Sequence, residues 1–240
     1  TDSQQRWAQK DIVLVFLETD NSLIGVGEAW TGGGSPHALI QTIDDDLAPR
    51  LIGKDPRQHN RIFSDVWQTT SLSARRGIIS AALSAVDMAL WDLVGKSLQT
   101  PVYELLGIYS DQVPCYASAG LYGKDKDQHA LADEMRGYLN QGFSDVKMKV
   151  GGVPLDQDLE RVKAVREAIG PSSRLMVDAN YTLNVPRSLK MASAFEPYDV
   201  YWFEAPVSPD DLLGQAKVNA LSPIPAVSYT HLRAHETRRY

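Results

Sequence analysis

Val146-Lys147-Met148-Lys149-Val150 is a short apolar run that carries two lysines. Two further runs share its character, Leu175-Met176-Val177-Asp178-Ala179-Asn180 and Tyr201-Trp202-Phe203-Glu204-Ala205-Pro206. Each reads as a buried parallel strand. Each also carries charge that a packed core does not tolerate without a purpose. Helix-length segments separate the three, giving strand–helix–strand–helix–strand. That order predicts a parallel α/β barrel, in which chemistry-bearing groups sit at the C-terminal ends of strands. A lysine pair, an Asp and a Glu converging there can hold a divalent metal and a base.

The same rhythm extends on both sides. Val113–Ser118 reads as a preceding strand, Asp125–Asn140 as a helix ending at Gly142, and Leu155–Ile169 as a helix closed by Gly170-Pro171. Val185–Phe195 and Asp210–Leu221 are the next helices, and Pro223-Ile224-Pro225 opens a fifth strand. A closed barrel of this type needs about eight such units, so the spacing predicts a partial (β/α)8 TIM-type barrel over residues 111–226. The chain before it has another pattern. Ile12–Glu18 and Leu23–Trp30 flank the turn Asp20-Asn21-Ser22 and predict a hairpin. Gly25 and Gly27 inside its second strand predict close backbone approach. Thr31–Pro36 reads as a loop. Helices follow at His37–Leu51, Arg57–Thr69 and Ile78–Val94, the last stopped at Gly95, and Pro101–Gly107 forms a short helix. Residues 1–110 therefore predict an N-terminal α+β domain.

Bulk properties narrow the classes. Hydrophobic residues make up 43% and charged residues 22%, the balance of a globular protein. A net charge of -6 argues against nucleic acid or a membrane surface as partner. No apolar run reads as long enough to cross a bilayer, and Thr1–Gln5 lacks the basic start and apolar core of a signal peptide. The single Cys115 excludes an internal disulfide and a cysteine-built metal site, and it fits a reducing, cytoplasmic setting.

Lys147 and Lys149 are two apart and share one strand face. In a partly dry interior, like-charge repulsion and desolvation would lower a lysine pKa and make a base. Alone, an edge strand with two solvated lysines is the plainer reading. Asp178 and Glu204, at adjacent strand ends, offer hard oxygen ligands suited to Mg²⁺. The plainer readings are a helix N-cap for Asp178 and an ion pair to a barrel lysine for Glu204. Three other features carry no chemistry. Gly25-Val26-Gly27-Glu28 lacks the third glycine of a dinucleotide fingerprint, Gly32–Gly34 lacks the lysine of a phosphate loop, and His231 and His235 lack the adjacent Glu of a zinc motif.

The segment Ala82–Gly107 resembles the signature of the mandelate racemase/muconate lactonizing enzyme family, within the enolase superfamily. The matching residues are Ala82, Ser84, Asp87, Ala89, Asp92, Gly95, Lys96, Pro101, Leu105 and Gly107. The resemblance covers roughly residues 11–226 and implies a capping domain followed by a modified eightfold barrel. It implies Lys149 as the base that removes the proton α to a carboxylate, with Lys147 as the partner that lowers its pKa. It implies Asp178 and Glu204 as Mg²⁺ ligands and Asn180 as a substrate contact. Residues 1–10 and 30–37 would fall where the cap closes over the substrate. The pattern looks most like the members acting on sugar acids. A dehydratase of an aldonate or aldarate is the leading expectation, with a cycloisomerase, racemase or epimerase behind it and a homo-oligomeric parent. A Schiff-base aldolase would use either lysine but leaves Asp178 and Glu204 unexplained.

The resemblance weakens toward the end. A third metal carboxylate is expected after Ile224-Pro225, and an acid–base pair of Asp and His on later strands. Instead Val227-Ser228-Tyr229-Thr230-His231-Leu232-Arg233-Ala234-His235-Glu236-Thr237 resembles one reading frame of a transposase-type sequencing adapter. Residues 227–240 are accordingly expected to be a non-native tail, and the 240 residues as written a fragment without activity of its own.

Overall fold

The structure is a computed structural model that describes residues 1–6, 9–32, 34–72 and 77–228. Gly33 of the expected loop and the tail from 229 onward, with His231 and His235, lie outside the described residues. The described residues form two compact units, one within residues 9–112 and one that joins residues 1–6 to 113–228.

In the first unit, β1 (Ile12–Glu18) pairs antiparallel with β2 (Ile24–Trp30), Ile12 opposite Trp30 and Glu18 opposite Ile24. The strands alternate as a sheet with one covered face must. Val13 and Val15 are buried, whereas Ile12, Leu14 and Phe16 are exposed. The expected helix over 37–51 is broken into α1 (Pro36–Gln41), a π-helical turn (Thr42–Leu47) and α2 (Ala48–Leu51). Pro49, lacking an N–H, cannot continue the ladder there. After a 3₁₀ turn at Pro56–Gln58 come α3 (His59–Thr70), α4 (Ile78–Leu98) and α5 (Val102–Leu105).

Helix α4 is the core of this unit. Ala82, Ala85, Val86, Ala89 and Leu90 are buried. The expected close approach is present: a Cβ on Gly25 or Gly27 would collide with the Ala89 or Ala85 carbonyl oxygen. Signature residues fasten the contact. Asp92 accepts from Val26 N–H at 2.8 Å and from Lys96 Nζ at 2.7 Å, and Lys96 Nζ donates to the Ile24 carbonyl at 2.6 Å. Two expectations are corrected here. Gly95 does not stop α4, which runs to Leu98 and is capped by Gln99 at φ 52°. Gly95 instead lets the following turn pack closely, since a Cβ there would lie 3.0 Å from the Thr100 carbonyl. Helix α4 is also long and apolar enough to cross a membrane by length and composition, and part of that apolar content, Ala82, Leu83, Ala85, Val86, Ala89, Leu90 and Leu93, is buried in this unit.

In the second unit β3 (Ala117–Ser118), β4 (Val146–Lys149), β5 (Leu175–Asp178), β6 (Val200–Glu204) and β7 (Ala226–Val227) form one sheet in sequence order. Every pairing is parallel. The crossovers carry α6 (Gln128–Asn140), α7 (Leu155–Ile169), α8 (Val185–Phe195) and α9 (Leu212–Leu221). Side-chain caps start three of them: Asp127 accepts from Ala130 N–H, Asn184 from Arg187 N–H and Asp211 from Gly214 N–H. Strand β3 is shorter than the expected 113–118, because its ladder to β4 begins only at Ala117 opposite Val146. The core between sheet and helices holds Val146, Met148, Val150, Leu175, Val177, Phe195 and Phe203.

Candidate active site

The period of a strand sorts the side chains. On β4, Val146, Met148 and Val150 enter the helix-side core, so Lys147 and Lys149 point to the other face. Along β5 and the residue after it, Leu175, Val177 and Ala179 enter that core, leaving Met176 and Asp178 opposite. Strand β6 needs a correction of phase. Val200 and Phe203 both belong to the core, and their spacing of three breaks simple alternation. The ladder supplies the reason: Leu175 pairs with Val200, but Met176 pairs with Trp202, so Tyr201 is an extra residue at a bulge. Without it Glu204 would face the helices. With it, Lys149, Asp178 and Glu204 stand in one register row across three strands.

The four charged residues meet as two ion pairs. Lys149 Nζ donates to Asp178 Oδ2 at 2.6 Å, and Lys147 Nζ donates to Glu204 Oε2 at 2.5 Å. Asp178 is only 3% exposed and Lys147 7%, so these are not the solvated edge lysines of the plainer sequence reading. Lys147 Nζ also donates to Tyr116 Oη at 3.3 Å, and the Tyr116 ring stands edge-on to Trp202 with centroids 5.5 Å apart. The expected fall in lysine pKa does not hold for Lys147. Burial pushes its ammonium downward, but the hydrogen bond and charge of Glu204, helped by Tyr116, outweigh burial and hold it above the ordinary lysine value.

Asp178 does not cap α8; Asn184 does. Asp178 Oδ1 instead accepts from Asn180 N–H at 2.8 Å, a local turn that takes the chain through Asn180 at φ 48° and Tyr181 at φ 65°. Asn180 Oδ1 is buried and has no hydrogen-bond partner. An unpaired buried amide oxygen is an acceptor without a donor or cation, which suits a ligand-facing position.

The donor chemistry fits a hard divalent cation in part. Two carboxylates in register supply oxygen ligands of the type Mg²⁺ takes, and water or substrate oxygens ordinarily complete such a shell. Among the described residues no group of three His, Cys, Asp or Glu side chains comes together.

Sequence reasoning missed a second cluster behind Lys149. Asp158 is fully buried. It accepts from Tyr122 Oη at 2.8 Å, Gly151 N–H at 2.6 Å and Arg161 Nη1 at 2.8 Å. A signal was present: Asp158 lies four, seven and eleven residues before Val162, Val165 and Ile169, on the apolar face of α7. A charge on that face needs a buried partner.

Comparison with known proteins matches both units. The mandelate racemase / muconate lactonizing enzyme N-terminal domain matches residues 3–107, and the enolase C-terminal domain-like family matches residues 130–237. The chain is 37% identical over 209 residues to the 3,6-anhydro-alpha-L-galactonate cycloisomerase of Streptomyces coelicolor, covering 87% of this chain and 57% of that protein. It is 34% identical over 219 residues to the arabinonate dehydratase of Saccharolobus solfataricus, covering 91% and 58%. The crystal structure of a racemase from Streptomyces coelicolor A3(2) with bound magnesium aligns with a TM-score of 0.85 at 35% identity, covering 90% of this chain and 60% of that one. The chain thus spans 57% to 60% of the length of these proteins. The hairpin fastened to α4 through its signature residues, the parallel α/β sheet and the matches over both units together establish that the chain belongs to the mandelate racemase/muconate lactonizing enzyme family of the enolase superfamily.

Proposed function

We propose that the whole protein removes the proton α to the carboxylate of a sugar acid and completes a dehydration, with Mg²⁺ as cofactor. The observation that carries this reading is the row Lys149, Asp178, Glu204, in which an amine lies 2.6 Å from one of two adjacent acids. Asp178 and Glu204 are the residues that would hold Mg²⁺. When bound there, Mg²⁺ supplies a Lewis acid that stabilises the negative charge developing on the substrate carboxylate as the proton leaves.

The remaining work falls to side chains of this chain. Lys147, kept charged, pairs with the substrate carboxylate in place of Glu204. Lys149, once its own carboxylate is engaged elsewhere, sits beside that charge. Its amine accepts the α-proton at Nζ. The buried Asn180 Oδ1 accepts from a substrate hydroxyl. Loss of the β-hydroxyl as water completes a dehydration; return of the proton gives racemisation or epimerisation. Sugar-acid dehydration is favoured by the similarity to the arabinonate dehydratase. Cycloisomerisation is the second reading, favoured by the similarity to the anhydrogalactonate cycloisomerase.

The test is to incubate the whole protein with a panel of aldonates and aldarates, with and without Mg²⁺, and assay for α-keto acid. Product that requires Mg²⁺ and disappears in Lys149→Met is expected. Absence of product from every acid, or product indifferent to chelation, would overturn the reading.

A further inference from the structure

Lys149 ends β4 where the chain of β3 leaves it. Gly120 has φ 64°, and a Cβ there would lie 2.5 Å from Met148 Cβ and 2.6 Å from Met135 Cε, so only glycine makes this departure. Lys149 N–H still donates to the Gly120 carbonyl at 3.3 Å. The Lys149 carbonyl, on the same side, has no continuing strand to serve it. A buried carbonyl needs a donor, and Arg161 Nη1 provides one at 2.8 Å while its Nη2 donates to the Gly120 carbonyl at 3.1 Å. One guanidinium therefore ties the ends of β3 and β4 together.

The guanidinium is itself fixed from two further directions and buried. Asp158 binds it at 2.8 Å, the Tyr122 ring lies beneath it with its centroid 3.9 Å away, and Arg161 is only 9% exposed. Asp158 also accepts from Gly151 N–H, and Tyr122 Oη accepts from Gly152 N–H at 3.0 Å, so the turn that follows Lys149 is held by the same cluster. Tyr122 N–H donates to the Thr1 carbonyl at 2.8 Å, which brings the first residues of the chain to this anchor. The burial of Asp158 is costly: desolvation, partly opposed by Gly151 N–H and Arg161, holds its carboxyl above the usual range. A buried ionic cluster on an otherwise apolar helix face is weak as a source of stability. It is strong as a means of fixing one geometry.

We propose that Arg161, with Asp158 and Tyr122 behind it, is a positioning residue that fixes the backbone of Lys149 and thereby aims its Nζ at the reacting carbon. The role rests on the reading of Lys149 as the base. A base displaced by about 1 Å loses rate by roughly 100-fold without losing affinity for its substrate.

The test compares Arg161→Met, Arg161→Lys, Asp158→Asn and Tyr122→Phe with the unsubstituted protein. In Arg161→Met, kcat should fall about 100-fold while KM and Mg²⁺ affinity stay within about twofold. Arg161→Lys, which can still serve one carbonyl, should recover a large part of the loss. The activity-independent readout is the ¹⁵N–¹H signal of the Lys149 ammonium, slowed in exchange by its bond to Asp178. That signal should broaden or vanish in Arg161→Met and Asp158→Asn and persist in Arg161→Lys and Tyr122→Phe. An intact Lys149 signal in folded Arg161→Met, or a loss confined to melting temperature with kcat unchanged, would overturn the proposal. If the unsubstituted protein turns over no acid at all, the functional reading fails, and the ammonium signal alone decides whether Arg161 positions Lys149.

Discussion

Lys147 Nζ and Glu204 Oε2 lie 2.5 Å apart across two strands, although 57 residues separate them in the chain. Their side chains are 8% and 12% exposed. A pair this buried contributes little net stability when whole, yet loss of one partner strands a charge. Glu204→Gln or Lys147→Met alone should therefore lower the unfolding free energy by about 3 kcal/mol, and the double substitution by clearly less than the sum. Urea unfolding of the four proteins in the cycle measures this. Additive losses would show that the two groups do not act as a pair.

Lys147 should also titrate unusually. Its folded pKa is raised above the ordinary 10.5, because Glu204 and Tyr116 overcome the opposing effect of burial. Its stabilising contribution is thus fully present below the ordinary value and is lost as pH rises through the higher folded value. ¹³C-edited NMR of the lysine Cε signals should place the Lys147 midpoint above those of exposed lysines. In Glu204→Gln, burial acts with less opposition and the midpoint should move down. An unchanged midpoint would separate Lys147 from Glu204 electrostatically.

The first unit gives a prediction of pure packing. A Cβ at Gly27 would enter the Ala85 carbonyl, which is backbone and cannot rotate away. Gly27→Ala should therefore cost about 3 kcal/mol or more in unfolding free energy, the upper part of the overpacking range. Gly53→Ala meets nothing within 4 Å but sits at φ 76°, so its cost should be only the left-handed backbone penalty of about 1–2 kcal/mol. Thermal or urea unfolding of the two variants should keep that order. Equal losses would mean that α4 does not press on β2 as closely as the backbone indicates.

Much of this arrangement is legible in the sequence because strand period and charge agree. Lys147 and Lys149 two apart, with apolar neighbours between and around them, can face only one way. Asp178 and Glu204 each end an apolar run, and a charge at that place implies a strand end. The bulge at Tyr201 is not legible, because Val200–Glu204 reads as an ordinary run and the extra residue is defined only by the partner strand. The ion pairing is partly legible: opposite charges on one face predict attraction, but not that Lys147 skips the neighbouring strand to reach Glu204. The Asp158–Arg161 cluster was hidden by its surroundings, since Leu155–Ile169 carries many charges and a solvated face is the economical reading. Only the coincidence of Asp158 with the apolar stripe separated it. The stop at Gly95 failed for a related reason. Glycine marks helix ends when its backbone freedom is needed, but here its small size is used, and Gln99 takes the left-handed position.

The central claim is that Lys149 exchanges a proton with the carbon beside a substrate carboxylate. The most direct measurement is ¹H NMR of the α-proton of sugar acids incubated in D₂O with the whole protein and Mg²⁺, beside the Lys149→Met variant. The α-proton signal should be lost, through exchange or elimination, at a rate that requires Mg²⁺ and falls by about 1,000-fold or more in Lys149→Met, the scale of a lost general base. An α-proton that stays in place across the panel, or one that is lost equally fast in Lys149→Met, would contradict that claim.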